Sequence, residues 1–291
     1  MKQASFGLRA SDGRELFVYQ WLPERPRAIV QIAHGAAEHA GRYAGLAESL
    51  TAAGYGVYAA DHRGHGRTAR SPAELGRMAE SGGWDRAVAD LAELQARIRA
   101  QHPGLRVALL GHSLGSFMAQ QYLCEWGDTL AAAVLSGSAK LELPQDAPPP
   151  DPSDPFAAFN APFAPARTHF EWLSRDAAEV DKYVADPLCG FALSPATFAQ
   201  MLGAAARLYD PARLARIPAD LPIYLFAGDQ DPVNRGLESL HALLEIYRAV
   251  GLRKLTHRFS AGGRHYMLNE TYRAEVIADL IHWLDAVLTG P

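Results

Sequence analysis

"VALLGHSLGSFMAQQYL", residues 107–123, sets one serine between two glycines: Gly111-His112-Ser113-Leu114-Gly115. The chain has 25 glycines in 291 residues, so a Gly-x-Ser-x-Gly pattern arises by chance in roughly one such chain in ten. Its surroundings decide its meaning. Residues 107–110 are an apolar run of strand length, preceded by His102-Pro103-Gly104, and residues 114–126 are strong helix formers without proline. Ser113 therefore falls between a buried strand and a helix, on a turn sharp enough to project its hydroxyl. Gly111 and Gly115 remove side chains that would collide with that strand and helix. The new helix aims its first N–H groups at the serine, where they can meet a negative oxygen. An ordinary helix N-cap is the competing explanation for the serine. The strand–turn–helix context favours a nucleophile.

Composition narrows the function classes. The chain is 48% hydrophobic and 21% charged, with a net charge of −4 and no basic block. That describes a globular protein and argues against nucleic acid as a partner. The first residues, "MKQASFGLRASDG", lack the apolar core of a signal peptide, and no run approaches the ~20 apolar residues of a membrane span. Cys124 and Cys189 form no metal-type pair, and buried free thiols in a cytoplasmic protein are expected.

The periodicity changes along the chain. Residues 4–9 and 15–22 alternate as two antiparallel strands about Ser11-Asp12-Gly13. Strands are expected at 28–33, 56–60, 107–110, 132–135, 222–227 and 254–259, and helices at 42–53, 84–100, 114–126, 236–250 and 271–288. This rhythm predicts a mostly parallel sheet covered by helices on both faces. It breaks near residue 139. Eight prolines lie between Pro144 and Pro165, followed by helical stretches at 170–185 and 195–209, the second opened by Ser194-Pro195. The expected organisation is one α/β core, 1–138 and 217–291, with a helical cap inserted at 139–216.

A serine hydroxyl needs a base, and the base an orienting acid. In a parallel sheet these groups gather at the carboxyl ends of strands. For the chain order serine, acid, histidine, four late histidines are candidates. His241 and His282 sit in helical patterns and His257 within a strand. Only His265 follows a strand, in the glycine-containing loop 260–265. The acid should follow the strand at 222–227, in "GDQDPV". Asp231 lies deeper in that loop, and Asp229 fits better as a turn residue. An oxyanion would meet the N–H of Leu114 and, from the loop His34-Gly35-Ala36-Ala37-Glu38, the N–H of Ala36. Glu38 and Arg42 either shape the pocket or form a plain ion pair. Asp61, His62 and His65 brace a turn, and no metal or other cofactor is expected. The cap aromatics Phe156, Phe159, Phe163, Phe170 and Trp172 are expected to line a tunnel above Ser113 or to remain exposed. On the following helix Phe198, Met201, Leu202, Ala205 and Leu208 form one stripe that packs on the core.

Together "HGAAEHAGRY" (34–43), "DHRGHGRT" (61–68), "GHSLGS" (111–116), "AGDQDPV" (227–233) and "GGRHYMLNE" (262–270) resemble the α/β-hydrolase family. The resemblance is closest to its monoacylglycerol lipase and lysophospholipase branch, also labelled serine aminopeptidase-like. The cap stretch "FEWLSRDAAEVDKYVADPLCGF" (170–191) resembles bacterial members. The resemblance implies an α/β-hydrolase fold with an inserted cap and a Ser113–Asp231–His265 triad, with Ala36 and Leu114 as oxyanion donors. It also implies carboxylic ester hydrolysis through an acyl-enzyme. The implied substrates are small lipid-like esters, monoacylglycerols or lysophospholipids, in a pocket shaped partly by Glu38 and Arg42; from the aromatic cap segment, Phe159 and Phe163 are expected to bind the acyl chain. The cap would also make transient contact with membrane surfaces. The chain departs from the branch in carrying Ala37 where glycine often stands. Other expectations are a short-chain esterase, an aminopeptidase-like hydrolase, or a slow-turnover small-molecule receptor on the same fold. Oligomeric state is not implied.

Overall fold

The computed structural model describes residues 1–142, 154 and 156–288; six of the eight prolines noted above lie outside them. In chain order the elements are β1 (Lys2–Arg9), β2 (Glu15–Leu22), β3 (Ala28–Ala33), α1 (Ala44–Ala52), β4 (Tyr55–Ala60), α2 (Gly83–Gln101), β5 (Val107–His112), α3 (Leu114–Trp126) and β6 (Ala132–Ser136). Next come α4 (Ala157–Asn160), α5 (Ala177–Ala185), α6 (Pro195–Leu208) and α7 (Pro211–Leu214), and then β7 (Ile223–Gly228), α8 (Glu238–Ala249), β8 (Leu255–Ser260) and α9 (Arg273–Leu288).

The eight strands form one sheet in the order β1-β2-β4-β3-β5-β6-β7-β8. β1 and β2 pair antiparallel, as do β2 and β4, and every other neighbour is parallel. Strands β3 to β7 are buried along their whole length. That explains why they read as apolar runs rather than alternations. Their side chains still alternate between faces. Leu109, Ala133 and Leu225 join α2, α3 and α8 in one core, while Leu110, Val134 and Phe226 join α1 and α9 in the other. Each fully buried aliphatic side chain contributes about 1.5–3 kcal/mol.

Register carries this order into the site. Ala33 lies beside Gly111, His112 beside Ser136, and Gly228 beside Ser260. The strand ends therefore stand in one row, and the loops that follow them meet.

Between β6 and β7 the chain leaves the sheet. α6 starts as expected: Ser194 Oγ accepts from the N–H of Thr197, with Pro195 in the first turn. Its Met201, Ala204 and Leu208 bury against the α2–α3 core, and Phe198, Leu202 and Ala205 are half-buried beside them. The helix expected over 170–185 is instead broken. A 3-10 turn occupies Glu171–Leu173, and α5 begins only after Asp176, whose carboxylate caps the N–H of Ala178. Cys124 is buried and Cys189 half-buried, and neither is in a disulfide. Among the described residues no helix is long and apolar enough to cross a membrane.

Candidate active site

Ser113 sits between β5 and α3 with φ 51° and ψ −119°. An L-residue reaches that conformation only at a cost of about 1–3 kcal/mol, so the surroundings must impose it. The Ser113 N–H donates to the Ser136 carbonyl at 2.9 Å. The Ser113 carbonyl accepts from the N–H groups of Ser116 and Phe117 and from Ser116 Oγ, at 2.8, 3.2 and 2.7 Å. Ser116 Oγ also contacts Ser138 Oγ at 2.9 Å. The flanking glycines are sterically required. A Cβ on Gly111 would stand 2.4 Å from the Gly115 carbonyl oxygen, and one on Gly115 would stand 2.1 Å from that of Ala33.

His265 and Asp231, separated by 33 intervening residues, come together as the loops after β7 and β8 converge. His265 Nδ1 lies 3.0 and 2.9 Å from the two carboxylate oxygens of Asp231. Both side chains are buried, at 1% and 0% exposure. Facing a carboxylate, Nδ1 carries the proton and donates it. In the neutral ring Nε2 is then a lone pair, buried and without a partner among the described residues. Asp231 Oδ1 also accepts from the Val233 N–H at 2.9 Å, which fixes the carboxylate on its own turn. Asp229 points elsewhere: its Oδ1 accepts from the Gly262 N–H at 2.8 Å. It ties the two loops together without touching the imidazole.

The His265 ring lies 4.9 Å from that of His112, the residue before Ser113. No Ser113–His265 hydrogen bond is present among the described contacts. Gly137 keeps the rings this close, since a Cβ there would stand 2.9 Å from His265 and 2.8 Å from His112. Burial pushes His112 well below the usual imidazole range, helped by His265 and Arg42. His112 is therefore a neutral neighbour of the His265 ring.

The segment between β6 and β7 completes the enclosure. The His265 N–H donates to the Trp172 carbonyl at 3.3 Å, and the Tyr266 N–H to that of Leu173 at 2.6 Å. The Trp172 indole lies 4.9 Å from the His265 ring. Fully buried Glu270 accepts from the N–H groups of Arg175 and Arg264. That carboxylate joins the histidine loop to the inserted segment.

The loop after β3 approaches from the other side. Ala36 and Leu114 N–H groups make no hydrogen bond among the described residues. Glu38 is buried beneath this loop. Its Oε1 accepts from the Gly35 N–H and the Tyr43 hydroxyl at 2.6 and 2.8 Å, and its Oε2 meets Arg42 Nε at 3.2 Å. The Glu38–Arg42 pair thus exists and supports the loop. It also borders a cavity of about 10 Å³ beside His112 and Tyr266, room for a single water. Ala37 has φ 54°. That left-handed conformation favours glycine. Its carbonyl accepts from the Tyr183 hydroxyl at 2.7 Å and the Gly190 N–H at 3.0 Å, both from the inserted segment.

The turn after β4 is braced as expected. Asp61 accepts from the N–H groups of Ala40 and Arg67. His34 Nε2 accepts from the His62 N–H, and His65 Nδ1 donates to the Arg63 carbonyl. Burial pushes His62 down to about 3 and His65 to about 4, so both rings are neutral braces. Arg63 adds pairs to Asp90 and Asp12, each at 2.6 Å.

Phe159 and Phe163 are half-buried. Phe159 packs on Trp172 at 5.0 Å, and the Arg264 guanidinium lies 4.2 Å over the Phe163 ring. Sequence reasoning missed the roles of Ser116, Gly137, Trp172 and Tyr183. Of these, only Trp172 carried a signal, as one of the clustered aromatics.

Comparison with known proteins identifies the family. The family described as serine aminopeptidase, S33, matches residues 24–272. A monoacylglycerol lipase of Mycolicibacterium smegmatis is 30% identical over 91% of this chain and 90% of its own length. The monoglyceride lipase of Mus musculus is 32% identical over 76% of this chain and 71% of its own. Among solved structures, a carboxyl esterase from Bacillus coagulans superposes with a TM-score of 0.87 and 25% identity, covering 99% of both chains. The chain therefore belongs to the serine aminopeptidase S33 family, and it is a carboxylic ester hydrolase with the α/β-hydrolase fold.

Proposed function

We propose that Ser113, His265 and Asp231 are the catalytic triad, and that residues 139–216 are a cap over the core formed by 1–138 and 217–291. The observation that carries this reading is the buried Asp231–His265 contact, with the strained serine elbow beside it. Ser113 Oγ attacks the ester carbonyl carbon while His265 Nε2 takes its proton. The oxyanion is held by the N–H groups of Ala36 and Leu114. As the intermediate collapses, the carbon–oxygen bond breaks and His265 returns the proton to the departing alcohol. Water then repeats the sequence on the acyl-enzyme and releases the acid. Asp231 remains ionised throughout and stabilises the imidazolium.

The proposed substrate is a lipid-like monoester, with monoacylglycerol favoured over lysophospholipid. The named relatives and the apolar cap support that choice. Phe159 and Phe163 line the acyl path, and Glu38 and Arg42 support the pocket beneath the oxyanion loop. The half-exposed cap aromatics would let the protein touch a membrane surface transiently. Two unpaired cysteines fit a cytoplasmic location.

A fluorophosphonate probe should label Ser113 alone. Ser113→Ala should lower kcat by on the order of 10⁴–10⁶ with unchanged thermal unfolding. Labelling at another serine would overturn the triad. Because the family is described as an aminopeptidase, an aminoacyl amide belongs beside monoacylglycerols in the assay. Preference for the amide would overturn the ester assignment.

A further inference from the structure

We propose that His39, Asp186 and Cys189 form a binding site for a zinc-like divalent cation where the cap meets the oxyanion loop. The three residues each offer a donor atom, and these atoms all lie within 4.8 Å of one another. His39 Nε2 and Asp186 Oδ2 are already 2.9 Å apart. Tetrahedral zinc needs nitrogen and oxygen donors about 3.3 Å apart and sulfur about 3.6 Å from either. The donors therefore already stand within about 1–1.5 Å of that spacing.

Local structure has already ordered the donors. Asp186 Oδ1 accepts from the Leu188 N–H at 2.9 Å, which leaves Oδ2 to face His39. The Cys189 N–H donates to the Asp186 carbonyl at 3.0 Å, so both residues belong to one tight turn. The next amide, that of Gly190, donates to the Ala37 carbonyl of the oxyanion loop. The turn is therefore fastened to the loop from which His39 follows.

The charge and proton balance also closes. With a neutral His39 ring the Asp186 carboxylate leaves the cluster at −1, and a divalent cation with loss of the Cys189 proton brings it to zero, a neutral site beside Arg42. Cys189 gives its proton to solvent on coordination. The cation replaces the proton that His39 Nε2 shares with Asp186. His39 Nδ1 is buried and has no partner among the described residues, and can take up the ring proton. Imidazole, carboxylate and thiolate together suit zinc, and water fills the fourth position. None of the three residues is assigned to the triad or the oxyanion donors, so the site is separate from the ester chemistry.

Cobalt(II) titration of the Ser113→Ala protein tests this without using activity. One equivalent should give a near-ultraviolet thiolate-to-cobalt charge-transfer band with tetrahedral visible bands. Cys189→Ser should abolish the charge-transfer band, while Cys124→Ser should leave it. His39→Gln and Asp186→Asn should each weaken cobalt binding by about tenfold or more. Zinc should raise the melting temperature of the parent but not of the Cys189→Ser protein. No charge-transfer band, or a band that survives Cys189→Ser, would overturn the site. Either result would leave the catalytic reading untouched.

Discussion

The sheet core and the inserted segment are built differently. In the core, whole strands are buried and their register fixes where each loop emerges. In the insertion, short helices and turns reach the site through single side chains and carbonyls. Tyr183 on Ala37, and His265 on the Trp172 carbonyl, are such contacts. On the proposed reading the core places the reacting groups, and the insertion holds and covers them. Loss of a core group should therefore abolish chemistry, while loss of a cap group should change its rate or selectivity.

The largest expected effect tests the core side. Asp231→Asn removes the charge that stabilises the imidazolium and disturbs the Nδ1–H tautomer, so kcat should fall by about 10⁴. Asp229→Asn should cost mainly stability, because its carboxylate holds the Gly262 amide. Steady-state kinetics at matched folded fraction compares them. If Asp229→Asn is the worse catalyst, the acid has been misassigned.

The same contrast explains what could be read from the sequence. Strands that bury completely leave apolar runs, and parallel order puts function at their ends. Ser113, Asp231 and His265 could therefore be selected from strand positions and triad order. The broken stretch at 170–185 could not be resolved by apolar periodicity, because its partners are loops rather than a sheet face. The local signal was the Asp176 cap, which starts the helix only at Ala177. Ser116 and Gly137 act through contacts between distant turns, and no pattern in one sequence announces those. Ala37 stood out only through the resemblance, and its left-handed backbone is one that glycine adopts without cost.

Acid should weaken the core through its buried histidines. His34 and His112 are held well below the ordinary imidazole range, His62 at about 3 and His65 at about 4, in each case chiefly by burial. Their folded pKa values lie below those of the unfolded chain. The unfolded state thus binds more protons, and stability falls as pH drops below about 6.5. At pH 5 each of His62 and His65 costs about 2 kcal/mol. Urea midpoints at pH 7 and pH 5 measure the loss. His65→Asn preserves a donor for the Arg63 carbonyl and should flatten the fall. A slope unchanged by this variant would remove His65 from the account.

At the junction, Tyr183→Phe deletes the hydroxyl that donates to Ala37 and keeps the ring against Phe170 and Tyr266. One hydrogen bond is worth about 1 kcal/mol. If it positions the Ala36 N–H for the transition state, kcat should drop by up to about tenfold with KM nearly unchanged. Alanine at positive φ pulls against that clamp, whereas glycine does not. The loss from Tyr183→Phe should therefore shrink when Ala37→Gly is present. Equal losses in both backgrounds would show that strain at Ala37 plays no part.

The smallest effects belong to the cap aromatics, which on the proposed reading set substrate choice. Trp172 lies against His265, Phe159 against Trp172, and Phe163 beneath the Arg264 guanidinium. An acyl chain leaving the Ser113 ester along this wall would gain at most about 0.8 kcal/mol per buried methylene. Across a series of monoacylglycerols, kcat/KM should rise a few-fold per added CH₂ and level off once the wall is covered. Phe159→Ala should flatten that rise more than Phe163→Ala, whose ring is already engaged by a cation. Hydrolysis of an acetyl ester should barely change in either variant, since its acyl group does not reach the wall. If the parent enzyme prefers acetyl or butyryl esters, the cap aromatics act only as packing, and the contrast between core and insertion loses its functional half.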